Sequence, residues 1–359
     1  MSTFRQWVHK RHYAPMSRFW QAITFAATRF YATLVFVRTQ MVAWGWLKPS
    51  RVPCPVITVG NVTTGGTGKT PVVEALCREL VAHGHRPLIL TRGYAASEPI
   101  EYGQPQAACH GDEAFELKQA LQDLNITVVV GKNRAVSAHR ALSDYNPSVL
   151  VLDDGLQSGT LQGQPQINLL LIDGPRGLGN GQLLPMGPLR EPVESALSRA
   201  SIIALTRVDS EQQARIHSRL PDFPAGVAVV AVSIEPDGLL NWQTQQYVPL
   251  SWLAHRPVVA LCGIAQPDSF FATLFKHQAI TLETLVLDDH VGVSREALIK
   301  TISKYPPNTP LILTRKDAVK LPELSSEFPV WVLTQRANVT ALYGEVARLL
   351  QAPSEGVSG

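Results

Sequence analysis

A chain of 359 residues with 45% hydrophobic and 17% charged content is long enough for two domains with real cores, and its composition is that of a folded chain, with a disordered tail expected only after Ala352. Net charge is +3, but Arg5, Lys10, Arg11, Arg18, Arg29, Arg38, Lys48 and Arg51 crowd into residues 1–51 with no acid among them, leaving the remainder acidic. Cys54, Cys77, Cys109 and Cys262 are scattered without a Cys-x-x-Cys pair, which argues against a disulfide framework or zinc site and suits a reducing compartment.

The spacing predicts one long helix over residues 16–47. Phe19, Ile23, Ala26, Phe30, Leu34, Val37, Met41 and Trp44 recur at steps of four and three and form one stripe, with Arg18, Arg29 and Arg38 towards its flanks. Arginines interrupt the apolar stretch, so neither a cleavable signal peptide nor a bilayer span is expected. The favoured reading is a helix lying in the membrane interface against anionic lipid, its arginines snorkelling to headgroups. A helix packed on its own domain or making a dimer contact is the plainer alternative. No nucleic-acid-reading motif accompanies the charge, and no obligate protein partner is indicated.

Next comes Val56-Ile57-Thr58-Val59, then Gly60 to Thr64, Gly65-Gly66-Thr67-Gly68-Lys69-Thr70-Pro71, and an amphipathic run through Leu76 and Leu80. This is strand, Gly-rich loop, helix, the arrangement in which backbone N–H groups and a helix N-terminus converge on phosphate. Residues 63–70 are therefore the expected nucleotide cradle, Lys69 reaching the β- and γ-phosphates of ATP and the Thr70 hydroxyl ligating Mg²⁺. The usual first glycine is replaced by Thr63, and the extra lysine of partition-type ATPases would fall at Thr64.

Beyond the loop, apolar strands at 87–91, 126–130, 149–152, 167–173 and 202–206 alternate with helices, which predicts a parallel sheet covered on both faces. Asp153 and Asp154 follow one of these strands, where at least one could hold the metal. Asp112 and Glu113 open a helix; taken alone they are more simply acids offsetting its dipole. Arg92, Arg134 and Arg190 could face the carboxyl edge, where α/β sheets bind ligands, and the Gly/Pro-rich loop 174–192 is long enough to be functional. Residues 222–256 read as a linker or ribbon, followed by a smaller α/β unit with helices near 267–277, 294–304 and 339–350. His290 ends a strand there and, alone, has no special claim.

The expected fold is α/β: a P-loop-type, mostly parallel sheet flanked by helices over residues 51–225, a smaller α/β domain over 226–359, and a basic N-terminal helix region over 1–50. In one order the chain carries that helix, G-N-V-T-T-G-G-T-G-K-T-P (60–71), T-R-G-Y (91–94), G-D-E (111–113), D-D-G-L-Q (153–157), L-L-P-M-G-P-L-R-E-P (183–192) and L-T-R-K-D-A-V-K (313–320). The set resembles the tetraacyldisaccharide 4′-kinases of lipid A biosynthesis over roughly residues 10–350. The resemblance implies transfer of the ATP γ-phosphate to the 4′-hydroxyl of a lipid A disaccharide 1-phosphate at the cytosolic face of the bacterial inner membrane. By that similarity Asp112 is the general base and His290 its partner, Lys69 and Thr70 handle the triphosphate, and Glu113, Asp153 and Asp154 lie near Mg²⁺. Tyr94, Arg134 and Arg190 would contact the acceptor or phosphate, and domain closure would bring His290 to Asp112. Ser158-Gly159 and Val291 stand where the family usually has His-Arg and a second histidine. A membrane-associated P-loop ATPase switch and a nucleotide-sensing scaffold are the competing expectations.

Overall fold

The computed structural model describes residues 18–44, 46, 49–93, 102–104, 111–158, 161–217, 220–264, 267–287, 294–321 and 328–352. Tyr94, Cys109, His290 and Val291 lie outside them. Helix α1 spans Arg18–Ala43, and residues 16, 17, 45 and 47 of the predicted span lie outside the described residues. Phe25, Phe30, Leu34, Phe36 and Val37 are exposed along it, Phe30 by 69%. Its Tyr31 hydroxyl donates to the Arg190 carbonyl at 2.6 Å, which ties the helix to the body.

After the short β1 (Ser50–Arg51), the first domain runs β2 (Val56–Asn61), α2 (Lys69–Ala82), β3 (Pro87–Thr91), β4 (Tyr102–Gly103), α3 (Asp112–Ala120), β5 (Thr127–Gly131), α4 (Arg134–Tyr145) and β6 (Val149–Asp153). It continues through β7 (Leu161–Gln162), β8 (Gln166–Asp173), α5 (Val193–Leu197), β9 (Ile202–Thr206), α6 (Ser210–His217) and β10 (Ala228–Val232). Eight of these strands form a sheet in the order β10-β9-β8-β2-β6-β3-β5-β4, parallel except for β4 on β5. Strands β2, β3, β6 and β9 are buried along their whole length, the burial that a parallel sheet between helices requires. Chain order reverses beside β2: the connections first build out to β3 and β5 and back to β6, then cross to β8 and β9 on the other side. The crevice above that reversal is where doubly wound sheets bind ligands.

The second domain comprises β11 (Ile234–Asn241), β12 (Tyr247–Pro249), β13 (Pro257–Cys262), α7 (Pro267–Lys276), β14 (Ile280–Val286), α8 (Arg295–Ile302), β15 (Leu311–Thr314), α9 (Arg315–Ala318) and β16 (Val330–Ala337). Its sheet has the order β12-β11-β16-β15-β13-β14. The polar stretch 242–246 is the turn of a hairpin, and the expected ribbon is β11 paired antiparallel with β12 and β16.

The division expected at 225/226 differs from the observed one. Ala228–Val232 pairs in register with β9 and belongs to the first sheet. The last helix, α10 (Thr340–Gln351), also returns there, burying Leu342, Tyr343 and Val346 in the core shared by α2, α3 and the β2–β8 face. The second domain is thus inserted between β10 and α10, and the β11/β16 pair is its stalk. Local hydrophobic pattern does not report which sheet a strand joins, so this return is a tertiary result.

Candidate active site

The site is built along the carboxyl edge of the first sheet. Strand β2 delivers the Gly-rich loop, and Gly68 sits at φ +78° as the N-cap of α2 with no side-chain cap bond, leaving the helix N–H groups directed at the cavity. The loop is clasped from two sides. Thr206 Oγ1, at the end of β9, donates to the Thr67 carbonyl at 2.8 Å, and Arg207 Nη1 donates to the Gly66 carbonyl at 3.1 Å and to Asp173 at 2.8 Å. From the 174–192 loop, the Pro188 carbonyl accepts from Thr64 N at 2.7 Å, and Arg190 N donates to the Val62 carbonyl at 2.8 Å. Thr63 is buried and bridges Leu189, while Thr64 to Pro71 line the cavity.

Lys69 lies 3.2 Å from Asn61 Oδ1 and 3.4 Å from Asp154, and Arg190 Nη1 donates to both oxygens of Asp154 at 3.0 and 2.9 Å. Burial works to raise the Asp154 carboxyl, but Lys69 and Arg190 outweigh it and hold the group below the usual carboxylate range. Asp153 is the opposite case. It is 3% exposed, its Oδ1 has no hydrogen-bond partner among the described residues, and burial, reinforced by the Glu113 charge, pushes it up to about 7. Adjacent carboxylates are thereby driven apart by their surroundings.

Arg134, expected in the acceptor site or on phosphate, lines the cavity although largely buried; its Nη2 donates to the carbonyls of Asp153 and Asp154, and burial pulls its guanidinium down to about 10. Its visible work is to brace the aspartate turn, where Asp154 takes φ +51°. Glu113 lines the cavity. Asp112 opens α3 behind Gly111 and is paired with Lys320 of the second domain at 3.2 Å. Arg92 lines the cavity as expected, whereas Tyr94 and His290 lie outside the described residues.

The cavity has a volume of about 1070 Å³ and lies between the domains. Ile234, Thr314, Arg315 and Lys316 form part of its second-domain wall, and Tyr31 and Val35 of α1 close one side. Several lining groups were not singled out from sequence. Gln157 donates to the Asn61 carbonyl at 2.8 Å and to Glu191 at 3.0 Å, and Glu191 accepts from Arg199 at 2.6 Å. Glu116, one turn after Asp112 and Glu113, is pushed up to about 7 by burial, against the opposing charge of Arg315. Gln157, Glu191 and Arg315 all stand inside the motifs quoted above, which was the available signal.

The family model described as "Tetraacyldisaccharide-1-P 4'-kinase" matches residues 20–352. The tetraacyldisaccharide 4'-kinase of Geobacter metallireducens is 36% identical over 301 residues, covering 81% of this chain and 86% of that protein. That of Gluconobacter oxydans is 33% identical over 313 residues, covering 85% and 88%. The "apo" form crystal structure of LpxK from Aquifex aeolicus in complex with ATP superposes with a TM-score of 0.71 at 27% identity, covering 91% of this chain and 98% of that one.

The chain belongs to the tetraacyldisaccharide 4′-kinase family. It is an ATP-dependent kinase of lipid A biosynthesis, and the ATPase-switch alternative is not favoured. The residues of this kinase also fit Mg²⁺: a buried carboxylate oxygen of Asp153 lacks a partner close to Lys69, and Glu113, Asp154 and Thr70 line the same cavity. No three His, Cys, Asp or Glu side chains gather into a protein-only cage among the described residues. Mg²⁺ on a nucleotide does not need one, because phosphate oxygens and water complete its shell.

Proposed function

We propose that the chain transfers the γ-phosphate of ATP to the 4′-hydroxyl of a tetraacylated glucosamine disaccharide 1-phosphate at the cytosolic face of the inner membrane. The observation that carries this reading is the composition of one cavity. It is lined by the phosphate loop, by Glu113, Asp153 and Asp154, and by Tyr31 and Val35 of a helix whose Phe30, Leu34 and Val37 remain exposed. A nucleotide site sharing a wall with an apolar, basic helix suits an acceptor that stays in the bilayer while its headgroup reacts. Among the described residues no helix is long and apolar enough to cross a membrane.

In this mechanism Lys69 moves from Asp154 to the β- and γ-phosphates, and the N–H groups of Gly66 to Thr70 hold their oxygens. Thr70, Asp153 or Asp154 and Glu113 would hold Mg²⁺, which would supply neutralisation of the triphosphate charge. Asp112, oriented by His290, accepts the proton of the 4′-hydroxyl as its oxygen bonds to the γ-phosphorus and the bond to the leaving ADP oxygen breaks. Tyr94, Arg134 and Arg190 contact the acceptor or a phosphate, and Arg134 also keeps the aspartate turn in place. The two-stranded stalk allows the smaller domain to close on the site.

The test is transfer of labelled γ-phosphate from Mg·ATP to lipid A disaccharide 1-phosphate in detergent micelles. Wild type is expected to give labelled bisphosphorylated lipid, and Lys69→Ala and Asp112→Ala to lose at least about 100-fold in rate. ATP hydrolysis without labelled lipid, indifferent to Asp112→Ala, overturns the proposal.

A further inference from the structure

Lys320 is a lysine in an unusual place. It ends the turn that follows α9, its side chain is only 9% exposed, and its ammonium lies 3.2 Å from Asp112 Oδ2 across the domain boundary. The nitrogen makes no hydrogen bond of good geometry among the described residues, so the contact is one of charge. An ammonium taken out of water persists only where fixed carboxylates compensate it. Asp112 does so in direct contact, and the buried Asp317, whose Oδ2 accepts from Gly263 N at 3.1 Å and Thr314 Oγ1 at 2.6 Å, feels the Lys320 charge without an ion-pair contact to it among the described residues.

The backbone carrying Lys320 is held firmly. Thr314 caps the turn by accepting from Asp317 N, Lys320 N donates to the Asp317 carbonyl at 3.1 Å, and Arg315 anchors the turn on α2 through Glu74 at 2.8 Å. Arg315 docks the turn, and Lys320 aims from it.

We propose that Lys320 is a positioning residue that fixes the Asp112 carboxylate for phosphoryl transfer, an inference that rests on the reading of Asp112 as the general base. The rival role is a plain interdomain ion pair that docks the two halves of the protein. The two differ in what removing the charge does. Docking by the pair shows in thermal stability and in both KM values when the charge is removed, whereas positioning shows in kcat.

The experiment is steady-state transfer from Mg·ATP to the acceptor in mixed micelles, with wild type, Lys320→Met, Lys320→Arg, Asp112→Asn and the Lys320→Met/Asp112→Asn double variant. Lys320→Met is expected to lower kcat about 10- to 100-fold, the scale of a misplaced catalytic group, with both KM values within about threefold. Lys320→Arg should recover most of the loss. Lys320→Met should add less than about twofold to the defect of Asp112→Asn, because residues acting as a unit are not additive. Lys320→Gln takes the place of Lys320→Met if the latter lacks the wild-type thermal shift with Mg·ATP. A wild-type kcat in Lys320→Met beside a crippled Asp112→Asn overturns this inference alone, as does an equal Lys320→Met loss in both backgrounds. A wild-type kcat in Asp112→Asn overturns the base reading and this inference with it.

Discussion

Asp153 and Asp154 are neighbours in sequence with opposite electrostatic fates. Lys69 and Arg190 hold Asp154 ionised, whereas Asp153 is buried, partnerless at Oδ1 and pushed up to about 7. A buried acid whose folded pKa lies above its unfolded value contributes stability that is present below the unfolded value and lost as pH rises through about 7. A bound cation compensates the charge and must displace the proton below that pH. The stabilisation given by Mg·ATP should therefore grow from pH 6 to pH 8, with apparent affinity weakening by up to about tenfold per unit below 7. Asp153→Asn keeps the titration of the nucleotide itself but should lose the enzyme's part of this slope. Thermal shift at several pH values checks it, and equal slopes in both proteins would refute the role given to Asp153.

The Gly-rich loop shows how an element acquires its shape. Gly68 lies at φ +78°, and a Cβ there would stand 2.4 Å from the Ile234 side chain of the second domain's stalk. The side-chain tip can turn away, but the left-handed backbone still penalises any other residue by about 1–2 kcal/mol. Gly68→Ala should lower stability by that amount in a denaturant titration. It should also weaken ATP at least about tenfold by turning cradle N–H groups from the phosphate. If Gly68→Ala binds ATP like wild type, the loop conformation is not what holds the nucleotide. The neighbouring helix α3 has a different economy: its first turn is acidic by ordinary helix chemistry, and its particular use comes from Lys320 opposite.

At the scale of the molecule, a two-domain body carries an apolar helix on one rim of its cavity. Phe30, Leu34 and Val37 are exposed there, and each buried fully in an apolar phase would contribute roughly 1.5–3 kcal/mol. Replacing all three with serine should reduce co-sedimentation with anionic phospholipid vesicles by at least about tenfold while leaving the thermal shift with Mg·ATP unchanged. Undiminished vesicle binding would place the membrane contact elsewhere.

Much of this architecture is legible along the chain. Buried parallel strands announce themselves as continuous apolar runs, and the loop from Gly65 to Thr70 is recognisable because phosphate binding needs glycines, a lysine and a hydroxyl at short fixed spacing. The aspartates after β6 follow from the same local logic. What residues 226–359 belong to is different: β10 joins the first sheet and α10 returns to its core, and neither differs in pattern from an element of the second domain. Arg134 likewise looks like any arginine after a strand until the carbonyls of Asp153 and Asp154 are found in its reach. Sequence by itself determined the elements, the nucleotide loop and the family, because these depend on spacings of a few residues. Only the tertiary structure decided which sheet each strand completes, how the environment separates Asp153 from Asp154, and that Lys320 faces Asp112. Those outcomes depend on burial and on charges brought together from far along the chain.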